Sequence, residues 1–203
     1  MKNPTHKIKT LFSASVFLAL FPLFTSCDGD SSSSAPAVQL TVVEMNFSPA
    51  TSPGGSRVES VWNEVGFRIE SGHMGSYSST SVATPPGFRA SNGTDHLSFT
   101  SGAFGTGATR ITNIQGDEFS AISVDLAEYS HVFPVPKDIT FIGTKGDGSQ
   151  VSITFTTDGV ITGPGADNDF ERFGFPATFN SLKLLEVPTG VFAMDNVILA
   201  TAP

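Results

Sequence analysis

Residues 139–155 read Ile-Thr-Phe-Ile-Gly-Thr-Lys-Gly-Asp-Gly-Ser-Gln-Val-Ser-Ile-Thr-Phe. Two runs rich in β-branched and aromatic residues, 139–144 and 151–155, flank a short polar segment that contains Asp147 and Gly148. An Asp-Gly pair between two such runs is a strong signal for a β-hairpin. In the second run apolar residues alternate with serine and threonine, which indicates a strand with one buried face. This segment therefore predicts antiparallel β structure.

The same alternation of apolar and polar residues recurs along the chain from residue 38 to residue 203. Further strands are predicted at 39–47, 65–70, 96–100, 109–114, 122–126, 179–187 and 191–199. Segment 72–107 is dominated by glycine, serine and threonine, which favours loops or edge strands. No amphipathic helical pattern competes with these short strands. The expected fold is all-β, a jelly-roll-like antiparallel β-sandwich over residues 38–203.

The charge balance of the chain is acidic. It has 11 basic and 19 acidic residues, and the only basic residues before position 27 are Lys2, Lys7 and Lys9, so the remainder carries a net charge of −11. This acidity argues against a nucleic-acid partner, because affinity for phosphates comes from lysine and arginine. Cys27 is the one cysteine, which excludes a disulfide within the chain and a cysteine-based zinc site.

The first 26 residues have the three parts of a secretory signal. A basic start precedes an apolar run at 11–24, and the small residues Thr25 and Ser26 stand before Cys27. The apolar run is short and contains Pro22, so it does not suit a membrane span of about 20 residues. The stretch Leu-Phe-Thr-Ser-Cys at 23–27 resembles a bacterial lipobox, although Phe24 stands where leucine is usual. This resemblance implies a lipoprotein signal peptide at 1–26 and lipidation of Cys27.

Residues 27–37 continue as a polar, serine-rich stretch that cannot bury apolar area. Such a composition is typical of a flexible tether. The ten residues after Cys27 reach at most about 35 Å when extended, so the domain would lie close to its membrane. We therefore expect a lipid-anchored protein of the cell envelope, outside the cytoplasm, in the periplasm or at the cell surface.

Several short motifs resemble jelly-roll domains of exported bacterial proteins. They lie at 62–69 (Trp-Asn-Glu-Val-Gly-Phe-Arg-Ile), 119–127, 139–155, 170–185 and 192–197. These segments are similar to domains of proteins with PEP-CTERM sorting tails, and more distantly to carbohydrate-binding and galactose-binding-like modules. The chain ends at Thr201-Ala202-Pro203 without such a sorting tail. The expectation is that the lipid on Cys27 replaces that anchor.

The resemblance also implies a structural calcium site. In jelly-roll modules of this kind, calcium often joins the first strand to the last, and Glu44 and Asp195 stand at the matching positions. Asp195 lies in an otherwise apolar strand, where a charge is costly unless it is paired or bound to a metal. The alternative partner of Asp195 is a set of backbone amides or an arginine, and the sequence leaves both possibilities open.

A glycan site would need aromatic side chains that stack on sugar rings. Trp62, Tyr77 and Tyr129 combine such a ring with a polar group, whereas most aromatic residues of the chain are phenylalanines suited to a core. These three residues are therefore the candidate ligand-binding residues.

Catalytic motifs are missing from the sequence: it has no nucleophile elbow, no His-Glu-x-x-His and no phosphate-binding loop. The expectation is a non-catalytic lipoprotein that presents a structural or adhesive β-sandwich, with a cell-surface partner and a structural calcium ion. The first alternative is a glycan-binding module of the jelly-roll type. The second alternative is a hydrolase that acts on polysaccharide through paired carboxylates.

Lipidation of Cys27 is directly testable. Metabolic labelling with a radioactive fatty acid should mark the wild-type protein and leave Cys27→Ser unlabelled, because the thiol is the attachment atom. Equal labelling of the two proteins would rule out this site.

Overall fold

The computed structural model describes residues 39–48, 57–77, 89–102, 107–130, 134–162 and 168–202. The predicted signal peptide at 1–26, Cys27 and the tether at 27–37 lie outside these residues. The described residues form eleven strands: β1 (Thr41–Met45), β2 (Arg57–Glu64), β3 (Phe67–Tyr77), β4 (His96–Ser101), β5 (Thr109–Asn113), β6 (Phe119–Glu128), β7 (Asp138–Lys145), β8 (Gln150–Thr156), β9 (Glu171–Gly174), β10 (Leu182–Val187) and β11 (Gly190–Thr201). The described residues contain no helix long and apolar enough to cross a membrane.

The hairpin predicted at 139–155 is confirmed as β7 and β8. Its ladder runs from Asp138 opposite Thr156 to Thr144 opposite Gln150. Gly148 has φ +85°, a conformation that glycine adopts without a steric penalty. The Asp147 carboxylate accepts the backbone amide of Ser149 at 2.9 Å, which holds the turn.

The strands are hydrogen-bonded in the order β8-β7-β10-β5-β3-β4-β11-β6-β9, with β1 beside β11 and β2 beside β3. One layer contains β8, β7, β10 and β5, and the other contains β4, β11, β6 and β9. Strand β3 connects these two layers, because residues 67–70 pair with β5 whereas residues 74–77 pair with β4. Apolar residues from β7, β10 and β5 and from β4, β11 and β6 pack into one core. The fold is therefore an antiparallel, jelly-roll-like β-sandwich, as predicted.

Phenylalanine dominates the interior of the sandwich. Phe99 and Phe192 stack with their ring centroids 5.1 Å apart, and Phe67 meets Phe119 edge to face at 5.3 Å. All four side chains are buried. Aromatic pairs in these geometries add to the stabilisation that comes from burying their area. Ten of the eleven phenylalanines in the described residues lie in this core or pack against it.

The prediction of a strand at 65–70 is wrong at its start. Val65 and Gly66 both have positive φ, +42° and +85°, and Glu64 pairs directly with Phe67. They form a two-residue hairpin turn between β2 and β3, of the kind that requires positive φ at both central residues. A β-branched valine is disfavoured there, so the sequence pattern did not indicate a turn.

Two further predictions of strand boundaries need correction. Strand β3 extends through Tyr77, inside the segment predicted as loops or edge strands, and residues 74–76 pair with β2 on one side and with β4 on the other. The strand predicted at 179–187 begins only at Leu182. The preceding residues turn, with the amide of Phe179 donating to the carbonyl of Pro176 at 2.9 Å.

The stacked pair at the centre of the core predicts a large stability loss for Phe99→Ala. We expect about 3–5 kcal/mol, because the substitution removes buried area and leaves a cavity. The matched control is Ile122→Ala, whose side chain is 40% exposed and should change stability by no more than about 0.5 kcal/mol. Urea denaturation measures both, and similar losses in the two variants would contradict this core assignment.

Candidate functional site

The candidate site lies on the face of β6 and β11 that is turned away from the main core. Leu126 and Met194 point into that core, so the alternating residues Asp125 and Asp195 lie on the opposite face. The two aspartates pair directly across the ladder. Ala127 and Ala193 on the same face pack against Ala90 and Phe170, which belong to the loops that cover it. We use the name Asp195 cluster for the polar residues around this pair, which are Asp125, Asp195, Asn196, Arg172, Asn92 and Thr94.

The carboxylate of Asp195 is fully buried and accepts three hydrogen bonds. Its Oδ2 atom accepts from Asn92 Nδ2 at 2.8 Å and from Thr94 Oγ1 at 2.7 Å. Its Oδ1 atom accepts from the backbone amide of Asn196 at 2.7 Å. Burial raises the pKa of Asp195 to about 6, the charge of Asp125 acts in the same direction, and the three hydrogen bonds oppose the rise.

Asp125 is held by a different set of donors. Arg172 binds it through two nitrogens, Nε to Oδ1 at 2.7 Å and Nη2 to Oδ2 at 3.0 Å. Hydrogen bonding and the charge of Asp125 raise the pKa of Arg172 above its ordinary value. Asn196 has φ +45° at a register shift of β11, and its Nδ2 donates to Asp125 at 2.9 Å. Asn196 therefore bridges the two carboxylates.

An aromatic cluster adjoins the two aspartates. His96 pairs with Tyr77 across β3 and β4, stacks on its ring at 5.4 Å, and meets Phe170 edge to face at 5.3 Å. The guanidinium of Arg89 lies 4.8 Å from the ring centroid of Tyr77 and 3.9 Å from that of Tyr129. Burial lowers the pKa of His96 to about 4, so its ring is neutral near pH 7. The structure thus brings Tyr77 and Tyr129 together around one arginine.

Trp62 is bound elsewhere, at the end of β1. Its indole Nε1 donates to Glu64 at 2.9 Å, and its ring meets Phe47 edge to face at 6.1 Å. The Glu64 carboxylate also accepts the backbone amides of Asn46 and Phe47, each at 3.1 Å. Trp62 therefore helps to fasten β1 to the β2–β3 hairpin and does not join Tyr77 and Tyr129.

Glu44 and Asp195, the predicted calcium ligands, occupy different environments. Glu44 is exposed and pairs with Ile198, three residues along β11 from the buried Asp195. The three hydrogen bonds of Asp195 fit the alternative that the sequence left open, a carboxylate satisfied by donors. No group of three or more His, Cys, Asp or Glu side chains arranged for a metal occurs in the described ranges. Calcium at Glu44 and Asp195 stays a prediction.

The covering loops carry residues that the sequence analysis missed. The Asp169 carboxylate accepts the amide of Ser91 at 2.8 Å and the amide of Thr162 at 2.6 Å, and so ties two loops together. Asn92 and Thr94, which bind Asp195, lie in the segment predicted as loops or edge strands. Asn-Gly at 92–93 marks a turn in sequence, but nothing local relates that turn to Asp195.

The architecture and this site define an all-β antiparallel sandwich with a buried polar cluster on one layer. It is similar to the crystal structure of a DUF4465 family protein from Bacteroides caccae ATCC 43185, with a TM-score of 0.52 and 9% identity over 79% of this chain and 99% of the other. At that identity the likeness shows the fold alone. No family model and no curated protein matches the chain.

Asp195 and His96 should make opposing contributions to the pH dependence of stability. The folded-state pKa of Asp195, about 6, lies above its ordinary 3.8, so its contribution to stability falls as pH rises from about 4 to 6. The folded-state pKa of His96, about 4, lies below its ordinary 6.5, so its contribution grows as pH rises from about 4 to 6.5.

Single substitutions separate the two contributions. The unfolding free energy of Asp195→Asn minus that of wild type should rise from pH 4 to 6, and the same difference for His96→Phe should fall from pH 4 to 6.5. Urea denaturation at half-unit pH steps measures both differences. Flat difference curves would contradict the burial of these two groups.

Proposed function

We propose that this chain is a non-catalytic lipoprotein of the cell envelope that presents its β-sandwich outside the cytoplasm as a structural or adhesive module. The lipobox-like segment before Cys27 and the polar tether after it support the anchor. The sequence resemblance to domains of PEP-CTERM-sorted proteins supports export. The module itself is the described sandwich.

The proposal that the protein is non-catalytic rests on Asp195, whose buried carboxylate already accepts three hydrogen bonds. A glycosidase needs two carboxylates that a substrate can reach, one acting as an acid and the other as a base or nucleophile. Asp125 and Asp195 are a carboxylate pair, but Asp195 is 0% exposed and holds three donors, while Asp125 binds Arg172 through two nitrogens. Hydrogen-bond donors of the protein occupy both carboxylates, which favours a structural role for the pair.

The aromatic residues support the same reading. Sugar rings need a free aromatic face, and Tyr77 is only 6% exposed, with His96 stacked on its ring and Arg89 close to it. Tyr129 lies against Arg89, and Trp62 packs on Phe47. These contacts favour a structural role over glycan binding, and the test below separates the two.

The proposal is tested in cells that lack the gene, complemented with wild type, Cys27→Ser or Asp195→Asn. We expect deletion to reduce attachment of the cells to surfaces or the resistance of their envelope to detergent. Wild type and folded Asp195→Asn should restore it, because no catalysis depends on that carboxylate. Cys27→Ser should not restore it, because the module is no longer anchored.

Three results would contradict this proposal. Loss of function in an Asp195→Asn protein that is folded and anchored would indicate a catalytic or binding role for the carboxylate. Release of reducing sugar from polysaccharides by the purified protein would indicate a hydrolase. Retention on glycan-coated beads would indicate the glycan-binding alternative.

A further inference from the structure

A second group of carboxylates lies where β6 ends and β9 begins, apart from the Asp195 cluster. Glu128, the last residue of β6, is 0% exposed. Its Oε1 atom accepts the hydroxyl of Thr157 and, at 2.7 Å, the backbone amide of Gly159. Its Oε2 atom is buried and has no hydrogen-bond partner among the described residues. Glu128 therefore keeps one buried oxygen unsatisfied.

Glu171, the first residue of β9, lies beside it. Its Oε1 atom accepts the backbone amide of Asp158 at 2.8 Å. Asp158 and Gly159 are consecutive, so the two glutamates hold neighbouring amides of one loop, whose Cα atoms are about 3.8 Å apart. Burial raises the pKa of Glu171, and the negative charges of Asp158 and Glu128 add to that rise. Negative charge is thus concentrated around Glu171, at the end of the sandwich where the unsatisfied oxygen of Glu128 is buried.

The loop that positions both carboxylates is sterically constrained. Gly159 has φ +85°, and a Cβ atom at that position would lie 2.6 Å from Cδ of Pro136. The amide of Thr157 donates to the carbonyl of Lys137 at 3.1 Å, and the amide of Lys137 donates to the Thr157 hydroxyl at 3.0 Å. Contacts with Pro136 and Lys137 therefore hold in place the loop that carries the amides of Asp158 and Gly159.

A buried carboxylate oxygen without a partner carries a desolvation cost that a bound cation would compensate. We propose that Glu128 and Glu171 bind a hard divalent cation of the calcium class at this end of the sandwich. Two carboxylates balance its charge, and water and backbone carbonyls complete its oxygen coordination. This site differs from the one predicted at Glu44 and Asp195, and it does not depend on the proposed function.

The test is thermal melting of the full-length chain in detergent, with chelator and with calcium as the only added metal. At calcium about a hundredfold above the dissociation constant, the melting temperature should rise by about 5–10 °C. Glu128→Gln and Glu171→Gln should each lose most of that rise, because an amide oxygen is a weaker calcium ligand than a carboxylate. Glu171 is the less buried residue, so its variant keeps the test valid if Glu128→Gln does not fold.

Two further variants locate the ion. Glu70→Gln, a control at an exposed strand glutamate that pairs with Arg68, should keep the full rise. Asp195→Asn should keep it too, and loss of the rise in that variant alone would place the ion at the sequence-predicted site and overturn the proposal. No rise in wild type would also overturn it.

Discussion

The hydrogen-bond ladder of β11 is the constraint on which the sandwich depends. Residues 192–194 pair with β6 and β4 at the same time, and residues 198–201 pair with β6 and β1, so β4 and β1 share one edge of the strand. Since the chain has a single cysteine at position 27, no disulfide within it can hold the first and last described strands together. Backbone pairing and the phenylalanine core do so instead.

Placing Asp195 in the middle of this strand has physical consequences. An aspartate in an apolar strand must find donors, and a register shift of β11 with Asn196 at positive φ supplies two of the hydrogen bonds that tie Asp195 and Asp125 together. The remaining donors of Asp195 come from the loop that carries Asn92 and Thr94, and Arg172 of β9 supplies those of Asp125. The polar cluster thus holds a loop over one layer, whereas an oxygen of Glu128 at the end of β6 has no partner in the part of the chain that the structure describes. The hydrogen bonds of Asp195 support a structural role for that carboxylate. The unpartnered oxygen of Glu128 supports the proposed cation site instead.

Local patterns in the sequence predict those parts of the fold that local interactions decide. The hairpin at 139–155 was predictable because alternation and an Asp-Gly turn both occur within 17 residues. The turn at Val65 was not, because tertiary pairing of β2 with β3 imposes positive φ on a residue that disfavours it. The need of Asp195 for a partner was predictable from the cost of burying charge. Its donors Asn92 and Thr94, about 100 residues away, were not, because no local signal specifies such a long-range contact.

The structural role proposed for Asp195 depends on its being a buried, hydrogen-bonded carboxylate. The most direct test is an NMR titration of its side-chain carboxyl carbon, assigned with Asp195→Asn and recorded with chelator and with calcium. The structure predicts a midpoint near pH 6 that calcium does not shift. A midpoint at or below the ordinary 3.8, or a large shift on adding calcium, would show an exposed or metal-bound carboxylate and would contradict the account.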